Sequence, residues 1–214
     1  MKIKYLLLLG PLFLTSMLAL AQAKKDADEI LKEVTEKTKS FSSIKIDFTY
    51  NMDNPDAKIH ESESGTLLVE GDKYRLKIAG QVIISNGVTI WTYIEEANEI
   101  QINTVDEEQE LLTPSRLLTS YSEQYKSKLA GEEEVNGHTY QVIELKPSED
   151  KNFSQVLLTV DKQLQRFVKI DILDKNGNTF TYIVNKFEPD VPVKDSDFTY
   201  IPQEFPGAEV IDMR

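Results

Sequence analysis

The chain has 214 residues, no cysteine, and 36 acidic side chains against 24 basic ones, for a formal net charge of −12 at neutral pH. Such a surface repels phosphate backbones and anionic headgroups, which excludes nucleic acid and a bare anionic membrane as main partners. The missing cysteines exclude disulfides, thiol chemistry and a lipid anchor on an N-terminal cysteine.

At the start, Lys2 and Lys4 precede a nearly unbroken apolar stretch from Tyr5 to Leu20. Ala19-Leu20-Ala21 and Ala21-Gln22-Ala23 then both fit the small-x-small cleavage rule. The pattern predicts a secretory signal peptide over residues 1–21, cut after Ala21 or Ala23. Gly10 and Pro11 interrupt the run, which is short for a membrane span. Its removal takes two lysines and moves the charge to −14. Residues 22–214 are expected to form one domain, exported to a bacterial periplasm and soluble there. About 190 residues suffice for a sizeable single core.

Residues 24–41 read as an amphipathic helix. Ala27, Ile30, Leu31, Val34, Thr38 and Phe41 recur at three- and four-residue steps, with Glu29, Lys32, Glu33 and Lys37 elsewhere on the wheel. From Ser43 the period falls to two: Ile44, Ile46, Phe48 and Tyr50 alternate with Lys45, Asp47 and Thr49. Asn54-Pro55-Asp56 marks a turn. Further two-period segments span 59–70, 73–79, 81–86, 88–95, 98–104, 138–146, 153–161, 164–174 and 178–188. Asn86-Gly87, Asn136-Gly137 and Asn176-Gly177 punctuate them as hairpin signals. A second short helix fits 113–123, with Pro114 in its first turn and Leu117, Leu118 and Tyr121 as its stripe. The fold class is mainly β: roughly ten strands with two or three short helices, forming a large, strongly curved sheet or an open barrel.

One strand is unusual. In 88–94, Val88, Ile90 and Ile94 lie on one side and Trp91 and Tyr93 on the other, so both faces are apolar or aromatic. A half-exposed strand needs only one such face. Parity alone leaves open which face looks inward, since a bulge would exchange them.

Catalytic and metal signatures fail. No G-x-S-x-G elbow, phosphate-binding glycine loop or H-E-x-x-H occurs. His60 and His138 stand beside turns without ligand partners at metal spacing. Asp174-Lys175-Asn176-Gly177 resembles a calcium loop only superficially: the end positions would be Ile172 and Ile183, so it reads as a hairpin turn. The carboxylate runs 106–110 and 132–134 read as a solvated loop or a strand edge. No enzymatic activity and no cofactor are expected.

In this order the segments resemble the periplasmic outer-membrane lipoprotein carrier proteins of Gram-negative bacteria. The resemblance rests on the helix leading into Ser40-Phe41-Ser42-Ser43, on Gly65-Thr66-Leu67, and on the hairpin block Ile83-Ile84-Ser85-Asn86-Gly87-Val88-Thr89-Ile90-Trp91-Thr92-Tyr93. It continues through Pro114 with Leu117-Leu118, Asp195-Ser196-Asp197-Phe198-Thr199-Tyr200, and Val210-Ile211-Asp212-Met213-Arg214. It implies an unclosed, strongly curved antiparallel β-barrel of about ten to eleven strands with a helical lid over an apolar cavity. It also implies a monomeric carrier that takes lipoprotein acyl chains from an inner-membrane lipoprotein-releasing ABC transporter to an outer-membrane acceptor. Phe48, Tyr50, Tyr74, Leu76, Ile78, Ile83, Trp91 and Tyr93 are the expected cavity residues, with Leu117, Leu118 and Tyr121 on the lid. The family arginine that holds the lid shut has no counterpart in Val69–Leu76. Lys73 and Arg75 are the nearest substitutes, and Arg75 should point outward because it alternates with Tyr74 and Leu76. A general lipid-binding protein and an envelope-stress sensing module on the same fold are the alternatives.

Overall fold

The computed structural model describes residues 26–105, 125–148 and 153–214. The expected leader and the lid helix with Leu117, Leu118 and Tyr121 lie outside them. Helix α1 (Ala27–Lys39) is capped by Asp26, whose carboxylate accepts from the Glu29 N–H at 2.8 Å. Its stripe of Ala27, Ile30, Leu31, Val34 and Thr38 is buried, while Phe41 lies just past its end.

Eleven strands follow as two meanders, β1–β6 and β7–β11: β1 (Ile44–Asn54), β2 (Ile59–Glu70), β3 (Lys73–Ile78), β4 (Gln81–Ser85), β5 (Thr89–Ile94), β6 (Glu99–Thr104), β7 (Tyr125–Val135), β8 (His138–Pro147), β9 (Phe153–Asp161), β10 (Arg166–Asp174) and β11 (Thr179–Pro189). A twelfth, β12 (Glu209–Asp212), comes after two short 3-10 turns, Asp195–Phe198 and Pro202–Glu204. All twelve form one sheet in the order β12-β6-β5-β4-β3-β2-β1-β11-β10-β9-β8-β7. Two of these were absent from the sequence reading. In β7 the apolar alternation is too weak to read, and the carboxylate run 132–134 sits on this outer edge strand. In β12 every residue is exposed, and it joins β6 in parallel, the one departure from antiparallel pairing among the described strands.

The Asn-Gly pairs are not equivalent. Only at 136–137 do both residues take positive φ (53° and 81°), as a two-residue hairpin turn requires. At 86–87 and 176–177 glycine alone is left-handed, and side-chain carbonyl or carboxylate oxygens hold wider loops. Asn86 accepts from the Val88 and Thr89 N–H groups, and Asp174 from those of Asn176 and Asn178. The superficial calcium loop is thus a hairpin turn, as its sequence indicated.

Strand spacing would put β3 and β8 about 29 Å apart in a flat sheet. Yet Tyr74 and Leu76 of β3 share one buried cluster with Ile143 and Leu145 of β8, with Ile30, Leu31 and Val34 of α1 among them. The sheet is therefore strongly curved, wraps around the helix, and does not close, since β12 and β7 remain its two ends.

Candidate functional site

Residues paired across neighbouring strands share a face, so the register sorts every side chain. On the face toward α1, Ile46 pairs with Leu67, Leu67 with Leu76, Leu76 with Ile83, and Ile83 with Thr92. On the opposite face, Trp91 pairs with Ile84 and Ile102, and Tyr93 with Val82 and Ile100. Ile90 and Ile94 thus look inward. Trp91 and Tyr93 look outward, where they pack with Ile84, Ile100 and Ile102 under Phe205, Tyr200 and Ala208 of the C-terminal segment. The aromatic second face exists to seat that segment. Grouping Trp91 and Tyr93 with the cavity is corrected by this register, because an odd-even count cannot tell which side of a strand the helix covers.

The other six candidates share the inner face but not the same degree of cover. Phe48, Tyr74 and Leu76 are buried in the helix-covered core, Leu76 at 7% exposure. Tyr50, Ile78 and Ile83 are half-buried at the margin of that core. Sequence reasoning passed over Phe180, Tyr182 and Val184 of β11, which complete the same margin. Their signal was present in the 178–188 alternation, but nothing in it says that β11 lies beside β1.

Aromatic rings dominate this wall. The Tyr50 ring stands 5.3 Å from Tyr182 and stacks on Phe180 at 6.4 Å, and Tyr182 is 5.9 Å from Phe48. The far end of the Phe48 ring in turn lies over Gly65, its partner on β2; a Cβ built at Gly65 would fall 2.2 Å from the ring. Glycine is needed there because the ring occupies the space of a side chain. Burial pushes the Tyr182 phenol up to about 12, helped by Tyr50, and burial also raises Tyr50, with Glu61 adding to it. Both hydroxyls stay neutral at any physiological pH, so the wall is aromatic, uncharged and half-open. Such a face is suited to apolar contacts.

The polar candidates are structural. His60 pairs with Asp53 across the β1–β2 hairpin. His138 Nδ1 lies 2.7 Å from the Asp161 carboxylate, which also accepts from the N–H groups of Gln163 and Leu164 and so braces a turn. Among the described residues no cluster of histidine and carboxylates is arranged to hold a metal.

Comparison with known proteins adds the family. The family model described as "Outer membrane lipoprotein carrier protein LolA" matches residues 18–201. The chain belongs to that family. A curated relative, the uncharacterized protein MJ0687 of Methanocaldococcus jannaschii, is 24% identical over 99% of this chain, which spans only 61% of that relative's length. Among solved structures, an uncharacterized conserved protein from Thermus thermophilus shares the fold. Its TM-score is 0.57 at 16% identity, covering 87% of this chain and 98% of the other. The LolA superfamily protein NE2245 from Nitrosomonas europaea gives a TM-score of 0.46 at 16% identity, over 83% and 99%.

Lys73 and Arg75, the nearest substitutes for the lid arginine that the resemblance implies, both serve the C-terminal segment. Lys73 Nζ bonds Glu70 at 3.1 Å and Asp195 at 2.9 Å. Arg75 points to the outer face, as its alternation indicated, and bonds the Glu204 carboxylate and the Asp197 carbonyl. Both cations therefore tie the C-terminal segment down on the outer face and are not turned toward the inner one. Phe198 lies beneath, fully buried, with Lys73 over its ring at 5.9 Å.

Proposed function

We propose that this chain is a periplasmic carrier whose inner aromatic wall receives the acyl chains of lipoproteins. An inner-membrane lipoprotein-releasing ABC transporter loads it, and an outer-membrane acceptor unloads it. The observation that carries the reading is the half-buried apolar margin of Tyr50, Ile78, Ile83, Phe180, Tyr182 and Val184, bordering a well-covered core in a member of the carrier family. Leu117, Leu118 and Tyr121 are assigned to the lid over that margin, on the resemblance alone.

The physical need is plain. Each methylene exposed to water costs ~0.8 kcal/mol, so one sixteen-carbon chain costs on the order of 12 kcal/mol. A pocket that returns most of this cost carries the chain across water, and transfer follows whenever the next acceptor binds more tightly. No nucleotide or catalytic group is required for such a handover.

A second reading is a general binder of hydrophobic ligands without directed handover. The observation favouring it is that Lys73 and Arg75, the nearest substitutes for the arginine that the resemblance implies, are committed to the C-terminal segment. Mass spectrometry of material copurified from the native host separates the two. Acylated polypeptides support the carrier, and free lipids alone support the binder. Recovery of neither, together with failure of an apolar fluorescent probe to bind, would overturn both.

A further inference from the structure

Strand β2 is longer than its neighbour. It pairs with β1 along its whole length, from Asn54↔Ile59 to Ile44↔Val69, but with β3 only from Thr66↔Lys77 onward. The β3–β4 hairpin turns back at Ala79 and Gly80, so, among the described residues, 59–64 have a strand on one side only. All six are exposed. Beside them lies a notch of about 370 Å³, bordered by Glu63, Ser64, Gln81, Val82, Tyr93 and Glu95. This is a sheet edge in the middle of the sheet order.

A free edge presents unpaired backbone N–H and C=O groups, and alternate residues aim both outward. Six residues give about 20 Å of edge and about three such residues. Two side chains along it are engaged with β1: Ser62 donates to Asn51 at 2.7 Å, and His60 pairs with Asp53. The hairpin is thus held in extended form while its outer backbone stays open.

We infer that the edge of β2 at residues 59–64 is a strand-addition site for an extended, basic segment of a partner polypeptide. Charge complementarity selects the occupant. Glu61 and Glu63 point to one face of the edge, opposite Met52 and Tyr50, and Glu95 borders the notch; Lys77 is the one cation lining it. An added strand with lysine or arginine at alternate positions sets cations against these carboxylates, while its intervening side chains reach Val82 and Tyr93. A second copy of this chain, at a net charge of −12, is repelled from the same edge. The inference stands on the register and not on the acyl-chain reading.

The test uses the full chain and the peptide acetyl-Lys-Val-Lys-Val-Lys-Val-amide, with its fully N-methylated counterpart as control. The unmethylated peptide is expected to slow amide exchange within residues 59–64 by about fivefold or more, and the control to leave it unchanged. The double variant Glu61→Lys/Glu63→Lys is expected to weaken binding by about tenfold or more, with the melting temperature and the affinity for an apolar fluorescent probe retained. No binding at millimolar peptide, equal binding of the N-methylated control, or protection elsewhere in the chain would each overturn the inference. Probe binding measured in the same samples keeps that failure distinct from failure of the carrier reading.

Discussion

The two faces of the β4–β5 hairpin use apolar residues for opposite ends. On the inner face Ile83 meets a core that α1 covers only in part, leaving a half-buried margin. On the outer face Trp91 and Tyr93, themselves half-buried, are overlaid by the chain's own C-terminal segment, with Phe205 against Tyr93 at 4.7 Å and ion pairs at its rim. The same composition is therefore covered by helix α1 on one side and by the C-terminal segment on the other. What distinguishes them is the covering element, and the consequences can be separated by mutation.

The largest contrast lies within the inner face itself. Leu76→Glu places an unpaired charge in the covered core and should cost more than about 4 kcal/mol, which urea denaturation will show as loss of the native state. Ile83→Glu, on the half-buried margin one strand away, should leave a folded protein whose affinity for an apolar fluorescent probe falls about tenfold, ~1.4 kcal/mol. If both variants unfold alike, the margin is core and not wall.

Next in size is the outer seam. Phe205→Ala should cost about 3 kcal/mol by emptying the second cluster, while probe affinity stays as it was. A matching loss of probe affinity would show that the two faces are not independent.

Tyr182 gives the inner wall a pH signature. Its folded phenol titrates at about 12, against 10.0 for the free group, because burial favours the neutral form. The folded state therefore holds the proton longer than the unfolded chain. Its contribution, on the order of 2–3 kcal/mol, is complete below pH 10 and is lost as pH rises from about 10 to about 12. Tyr182→Phe should flatten that stretch of the stability curve, read by denaturation at each pH alongside tyrosinate absorbance.

The smallest effect is at the rim. Arg75→Gln removes the cation facing Glu204 and should cost about 1 kcal/mol, more at low salt than at high salt, with faster amide exchange in 195–205 and no change in the inner wall. An unchanged exchange rate there would mean that Phe198 and Phe205 alone hold the segment.

Much of this molecule is written in local sequence. The 3.6-residue spacing from Ala27 to Thr38 produces α1 within a few residues of its expected ends, and two-residue alternation produces ten of the twelve strands, because both periods follow from backbone geometry alone. The family resemblance, carried by short blocks in order, agrees with the family match over residues 18–201. The pairing of β1 with β11 instead brings together residues more than a hundred positions apart, and it decides that Phe180 and Tyr182 join Tyr50. Likewise, the alternation in 88–94 guarantees two faces without naming them. Only the placement of α1 on one side and of Phe205 on the other makes Ile90 inward and Trp91 outward. Period is a property of neighbours along the chain, whereas facing is a property of what the folded sheet lies against.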